Sequence, residues 1–478
     1  MVRTPYLVAV TVLVALLTSI ILALGVTPSA ASAKGSSSAA IHEAQGVSWL
    51  GAWSASQQPP YEEGVSAEGF ENQTVRNIVH TSAGGNEIRV RLSNAFGEEE
   101  VIFGNARVAT QRDGAATEPG TDRELTFDGA PSVAVPAGEE VYSDPVYLDV
   151  AGGENLAVSL YLPEATGPTT WHELGQQSTY FSNPGDHTAE SEATAFSGAE
   201  TSFFFVSAVE VRAPEGANAI VAFGDSITDG FNSTLDANGR YPDYLADRML
   251  GLPSGERTSV LNAGISGNRI LNDAPCCGVR ATDRLERDVL SQAGVSDVIL
   301  LEGINDIGYS EIEEEDPTRG QTPDVSAEEI ITGMQQIIDR SHAEGLQIHG
   351  GTLLPFEGAD YYSEEGEAKR QEVNDFIRNS GEFDSVVDFD RATRDPENPR
   401  ALLPEYDSGD NLHPNDAGYR AMAAVVDLER FDAAQGEAGE RVERIPETGG
   451  IPLSIPSGGA LILVCGLSVL AVRRRGAC

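Results

Sequence analysis

From Trp49 to Arg212 the chain alternates between apolar and polar positions with period two. The stretches NEIRVRLSNAFG, ENLAVSLYL and FFFVSAVEVRA show the pattern most clearly. Gly, Asn, Asp and Pro punctuate these runs and helical spacing is scarce. Short strands separated by turn residues predict an all-β sandwich, jelly-roll-like, over residues 47–213. Pro214-Glu215-Gly216 reads as the joint to a second domain. After Ala219 the rhythm changes. AIVAFG, TSVLNAG, VSDVILLEG, LQIHGGTLL and SVVDFD are short, mostly apolar runs. Helical patterns cover Tyr241–Leu250, Glu328–Ala343, Ala368–Asn379 and Asp416–Phe431. Strand and helix in alternation, with near-continuous apolar strands, predict a parallel sheet covered on both faces over residues 217–432. Ligands of such sheets sit at the carboxyl ends of the strands, and the polar clusters of this chain fall there.

The two ends read differently from the body. Arg3, an apolar run from Tyr6 to Val26 and the small residues Ala31-Ser32-Ala33 predict a signal peptide over residues 1–33, with an uncleaved anchor helix as the alternative. Residues 34–46 are Ser/Ala/Gly-rich and read as a disordered lead-in. At the far end, Ile445-Pro446-Glu447-Thr448-Gly449 precedes an apolar run, Gly458 to Val472, and Arg473-Arg474-Arg475. Motif, apolar segment and basic tail in this order resemble a sortase sorting signal of Gram-positive bacteria, with Ile445 where leucine is usual. The resemblance implies cleavage between Thr448 and Gly449, with sortase and peptidoglycan as partners. Residues 433–448 are then linker and motif, and 449–478 the apolar segment and tail. A plain membrane anchor is the alternative. Either way the protein is expected outside the cell, tethered to the wall or to the outer face of the membrane.

Charge and cysteine content narrow the function. Among 478 residues, 74 acidic groups against 31 basic ones leave a formal charge of -43. Such a surface repels phosphate backbones, so nucleic acid is excluded as a partner. Lys34 and Lys369 are the only lysines. Of the four cysteines, Cys465 and Cys478 fall in the terminal segment. That leaves Cys276-Cys277, a vicinal pair that an oxidising compartment would allow to form a disulfide. No metal-ligand spacing occurs, and no cofactor is expected.

Four short stretches carry candidate chemistry. In VAFGDSITDG, Ser226 stands where a strand gives way to a helix, with Gly224 allowing the turn. A hydroxyl there sits over the sheet edge beside a positive helix end, suited to a nucleophile. In DSGDNLHPNDAGY, Asp410 and His413 are spaced so that the carboxylate can hold one imidazole nitrogen while the other faces a serine. NAGISGNRI offers the Gly267 N–H, and LEGINDIG the Asn305 amide, as donors to an oxyanion. Taken singly, each has a plainer reading: a helix-capping serine, a loop histidine, a turn glycine, an Asx turn.

Together, Gly-Asp-Ser, the glycine of Asn-X-Gly-X-Ser-Gly, Gly-X-Asn-Asp and Asp-X-X-His, in this order, resemble the four blocks of the SGNH (GDSL-type) hydrolase family over residues 217–432. The resemblance implies a flavodoxin-like three-layer α/β/α fold and no metal. It implies Ser226 as nucleophile, His413 as base, Asp410 orienting it, and an oxyanion hole of Ser226 N–H, Gly267 and Asn305. The front segment, with GAWSASQ and TTWHELGQQSTYF, resembles the β-sandwich found ahead of some secreted members, and Trp53, Trp171 and Tyr180 are candidates to stack on sugar rings or to fill the core. The acidic loop Glu311 to Asp316 reads as solvated surface. The expected activity is an extracellular serine esterase on short-chain or carbohydrate O-acyl esters, acetylated polysaccharide among the substrates. The alternatives are an acylhydrolase on longer lipids and a non-catalytic, wall-anchored sugar-binding protein.

Overall fold

The computed structural model describes residues 47–253, 258–311 and 317–431. The signal peptide, lead-in, sorting motif with Thr448 and Gly449, and apolar tail expected from the sequence lie outside them, as does most of the acidic loop. Among the described residues no helix is long and apolar enough to cross a membrane.

The N-terminal half is rich in strands, arranged chiefly as two antiparallel sheets. One runs in the order Val47–Ser54, Val206–Pro214, Gly85–Ser93, Val146–Val150, with Glu140–Tyr142 also paired to Gly85–Ser93. The other holds seven strands, with Gln73–His80 and Asn155–Leu162 at its centre. Alternation does what the pattern predicts in Gly85–Ser93. Ile88, Val90 and Leu92 are fully buried, while Arg89 turns to the other face and lies over the Trp49 ring at 4.4 Å. Gln73–His80 departs from alternation because Arg76 is buried too. Its guanidinium donates to Ser159 Oγ and to the carbonyls of Ala115, Thr188 and Glu190, which offsets the cost of leaving water.

The C-terminal half is built on five parallel strands: β1 (Asn218–Gly224), β2 (Thr258–Gly264), β3 (Val295–Leu301), β4 (Gln347–Gly351) and β5 (Ser385–Val387). Their order is β2-β1-β3-β4-β5. Gly224 at the end of β1 pairs with Gly264 of β2 and Leu301 of β3. The three strands therefore end level, and the segments after them emerge at one edge.

Four longer helices follow the strands: α1 (Tyr241–Leu250), α2 (Ala327–Ala343), α3 (Glu364–Asn379) and α4 (Asp416–Ala424). Helix α2 buries the ridge Ile330, Met334, Ile337 and Ile338 and starts at a capping box between Ser326 and Glu329. Helix α3 begins four residues before its apolar pattern, because Ser363 caps it by accepting from Gly366 N and three glutamates favour its positive end. Helix α4 stops at Ala424, short of the expected Phe431. Arg248 of α1 donates to the carbonyls of Ala423 and Val426 and so satisfies the helix end from outside.

The halves share one buried apolar cluster. Val47–Ser54 lies against β2, where Leu50 and Leu261 are both fully buried. Gly51 N donates to Ala293 O at 2.8 Å, Ser54 Oγ to Asn262 O at 3.1 Å, and Val260 N to Ser82 Oγ at 3.1 Å. Pairing groups across the seam hold the sheet edge of one half on the other.

Candidate active site

Strand β1 ends in Gly224, and the chain turns at once into the short helix Ser226–Asp229. Gly224 is needed here for space. A Cβ at this position would collide with the Leu301 carbonyl of β3 and with Thr228. Asp225 caps the helix, its Oδ1 accepting from Ile227 N at 2.9 Å. Ser226 is thereby presented at the strand edge, only 4% exposed.

His413 comes from the far end of the chain. Its Nε2 lies 2.8 Å from Ser226 Oγ, and its Nδ1 lies 2.7 Å from Asp410 Oδ2. A carboxylate can only accept, so Nδ1 carries the hydrogen and Nε2 is left to accept from the serine hydroxyl. Asp410 is held in turn. Its Oδ1 accepts from the backbone of Leu412 and His413, and its Oδ2 from Asn232 Nδ2. Burial works to raise this carboxyl. The hydrogen bonds from the His413 ring and backbone outweigh burial and hold it well below the usual carboxylate range. Phe231 packs on the imidazole, ring centres 4.5 Å apart and the rings tilted by 46°.

Gly267 and Asn305 reach the same place from the ends of β2 and β3. Gly267 has φ +73, and a Cβ there would meet Cys277 Sγ at 2.5 Å, so no other residue fits. Its N–H has no acceptor among the described residues. Asn305 Nδ2 donates one hydrogen to Asn268 O at 3.0 Å, and Asn305 Oδ1 accepts from Tyr361 OH at 3.3 Å. Those two bonds fix the amide and leave its second hydrogen for another acceptor. The five residues singled out in the sequence, Ser226, Gly267, Asn305, Asp410 and His413, all line one cavity of about 750 Å³.

Behind this edge lies a layer of buried charged side chains, of which Asp306 alone belongs to one of the four blocks. Arg284 is fully buried and donates to the carbonyls of Gly224 and Ala263, to Asn268 Oδ1 and to Asp288. It thus ties the ends of β1 and β2 and the Gly267 loop to one guanidinium. Glu302 lies 3.7 Å from it, fully buried, and burial pushes its carboxyl well above the ordinary range. Asp306 accepts from Ile270 N and Leu271 N, and burial pushes it up to about 6. Asp229, at the end of the serine helix, accepts from Ser266 N and from His172 Nε2 of the N-terminal half. His172 Nδ1 faces the Ser56 carbonyl at 2.8 Å. Both ring nitrogens therefore face pure acceptors, and the imidazole binds a proton more tightly than usual. Burial opposes this, but the Asp229 carboxylate outweighs it.

The cavity wall is more varied than the motifs suggested. Cys276 and Cys277 are joined by a disulfide that flanks Gly267. Tyr309, Tyr361 and Arg319 contribute from the C-terminal half, Tyr61 and Glu173 from the N-terminal half. Sequence patterns did not point to these residues: all five lie outside the four blocks, and nothing local marks Tyr61 and Glu173 as brought in by the other half. Trp53 and Trp171 are buried in the core, 6% and 7% exposed, and Tyr180 is partly buried in a strand. Glu311, the described part of the acidic loop, accepts from Ser363 Oγ and Lys369 Nζ.

Residues 222–421 match the family model described as GDSL-like Lipase/Acylhydrolase. No curated protein matches the chain. Solved structures similar to it include a GDSL-like lipase from Bacteroides thetaiotaomicron, 18% identical over 46% of this chain and 89% of that one, TM-score 0.33. Another is an alpha/beta hydrolase enzyme from the metagenome of Lake Arreo, Spain, 20% identical over 44% and 92%, TM-score 0.33. A third is an acetylxylan esterase from Geobacillus stearothermophilus, 20% identical over 45% and 94%, TM-score 0.34. On the family model, residues 222–421, which carry the Ser226 edge, form a GDSL-like lipase/acylhydrolase domain, and the protein is a carboxylic ester hydrolase.

Proposed function

We propose that the protein is a serine esterase acting outside the cell on short-chain or carbohydrate O-acyl esters, with Ser226, His413 and Asp410 as its triad. The observation that carries the reading is the continuous chain from Ser226 Oγ through His413 to Asp410, with links of 2.8 and 2.7 Å, beside two unengaged donors. In this reading His413 Nε2 takes the proton as Ser226 Oγ attacks the ester carbonyl. The tetrahedral oxyanion is held by the N–H groups of Ser226 and Gly267 and by the Asn305 amide. The alcohol leaves with the proton from His413. Water, deprotonated by the same nitrogen, then attacks the acyl-enzyme and releases the acid.

A preference for small polar esters is supported by the polar groups of the wall, among them Glu173, Arg319, Asp360 and Asn411. A long acyl chain would strip water from them without replacing their hydrogen bonds. We read the parallel sheet with its helices as the flavodoxin-like three-layer fold, and residues 47–213 as a β-sandwich. Location outside the cell rests on the sequence alone: the leader-like first 33 residues, and the resemblance of Ile445 to Gly449 to a sorting signal. An intact set of reactive groups speaks against a purely adhesive role. The test is hydrolysis of p-nitrophenyl esters, acetate through palmitate, by the full chain and by Ser226→Ala. Activity on the short esters, abolished in the variant, is expected. Activity that survives in the variant refutes the assignment of Ser226.

A further inference from the structure

The cavity over Ser226 is not closed by the esterase domain alone. Tyr61 and Glu173, both from the N-terminal half, line it together with Ser226 and His413. Their positions are locked to the active-site edge. Tyr61 OH donates to the Cys276 carbonyl at 3.1 Å, and its ring stands edge-on to Trp171 at 4.9 Å. Gln58 bridges the two: it accepts from Glu173 N at 3.0 Å and donates to Cys276 O at 3.3 Å. The residue before Glu173 is His172, fastened to Asp229 on the serine helix at 2.9 Å.

Glu173 itself is short of donors. The Tyr61 hydroxyl is within its reach, but that hydroxyl has a single hydrogen and the Cys276 carbonyl competes for it. No other side chain donates to the Glu173 carboxyl among the described residues. A half-buried carboxylate facing a cavity with spare acceptor capacity suits a ligand that brings O–H donors. A ligand of either charge suits it less. Arg319 on the same wall opposes an ammonium, and Glu173 with Asp360 opposes a carboxylate.

We propose that Glu173 and Tyr61 form a subsite for free hydroxyl groups on the alcohol half of the substrate, a partly acylated sugar ring, so that the N-terminal half sets the specificity of the esterase. This rests on Ser226 being the nucleophile of the reading above. It places the contribution of the N-terminal half at the reacting ester, where a separate sugar-binding module would act at a distance.

The test compares three esters on the full chain: mono-O-acetylated methyl xyloside, its fully acetylated form and p-nitrophenyl acetate. Glu173→Leu is expected to lower kcat/KM for the mono-acetylated sugar relative to p-nitrophenyl acetate by about tenfold to a hundredfold, the size of one charged hydrogen bond. The loss should appear in KM, and the fully acetylated sugar, which has no free hydroxyl, should not show the relative fall. Glu173→Gln keeps an acceptor and the shape, and Tyr61→Phe keeps the ring. Each is expected to shift the same ratio about threefold or more, and they serve if Glu173→Leu does not fold. An unchanged ratio in all variants overturns the subsite. So does wild-type enzyme that cleaves p-nitrophenyl acetate but not the mono-acetylated sugar. Ser226→Ala separates the two levels, since activity persisting there defeats the esterase reading itself.

Discussion

Asn305→Ala is the sharpest test of the oxyanion geometry. The side chain is 3% exposed, and its amide is fixed before any substrate arrives by Asn268 O at 3.0 Å and Tyr361 OH at 3.3 Å. A donor fixed in advance needs no reorganisation when the oxyanion forms, so its loss should cost about 3–4 kcal/mol in the transition state, or roughly 10²–10³ in kcat. KM should move by less than about threefold, because a neutral carbonyl draws little on this donor. The same substitution strands the Asn268 carbonyl and the Tyr361 hydroxyl, a stability loss of about 1–3 kcal/mol. That loss is read separately by urea unfolding. Tyr361→Phe leaves the donor in place and removes only one of its two restraints, so kcat should fall by roughly 2- to 10-fold. Initial rates on p-nitrophenyl acetate at saturating substrate measure both variants. If Asn305→Ala keeps kcat within about fivefold of wild type, or loses activity only through KM, the amide is not a transition-state donor.

Three further outcomes are expected. Asp410→Asn should reduce kcat by about 10²–10⁴ through loss of the imidazole's tautomer and charge partner. Because the Asp410 carboxyl lies below the usual range, the stability it contributes is present above about pH 4 and is lost as the pH falls through its lower folded value. The acid limb of the wild-type kcat/KM profile should therefore show one ionisation, and a slope of two would contradict this. His172→Phe should destabilise the chain by roughly 3–5 kcal/mol at pH 6, since it leaves Asp229 buried without its charged partner. The folded pKa of His172 is raised, so the clamp contributes fully below about pH 6.5 and is lost as the pH rises through the folded value. Urea midpoints should differ more at pH 6 than at pH 9, and an equal difference would mean His172 is neutral. Gly224→Ala should cost roughly 3 kcal/mol or more, because the added methyl meets the β3 backbone, which cannot yield cheaply. Thermal unfolding measures it, and a Tm within about 2 °C of wild type would show that the β3 backbone yields to the methyl.

Much of the site could be read along the chain because its chemistry is local. Asp410 and His413 are three residues apart, and their contact is a property of one loop. Gly224, Asp225 and Ser226 are consecutive, and the pairing of strand end with helix start is written in their polarity. The strands were legible for the same reason: in β1 to β3 the apolar runs Ile220–Phe223, Val260–Leu261 and Val298–Leu301 are buried throughout. Helix ends were legible only where the cap is local. Ser326 and Glu329 mark the start of α2 within four residues, whereas the stop of α4 depends on Arg248, far away in sequence.

By itself, then, the sequence determined the alternation of elements and the four blocks that hold Ser226, Gly267, Asn305, Asp410 and His413, since periodicity, capping and short-range spacing act over a few residues. Only the tertiary structure decided which groups complete the wall. Tyr61 and Glu173 reach the cavity because Val47–Ser54 is welded to β2 and His172 to Asp229, contacts between segments far apart in the chain. Arg284 and the acids around it carry charge where composition would put them in water. They are stable inside only because carbonyls from two strand ends and the Asp288 carboxylate converge on one guanidinium, and no stretch of sequence holds that convergence.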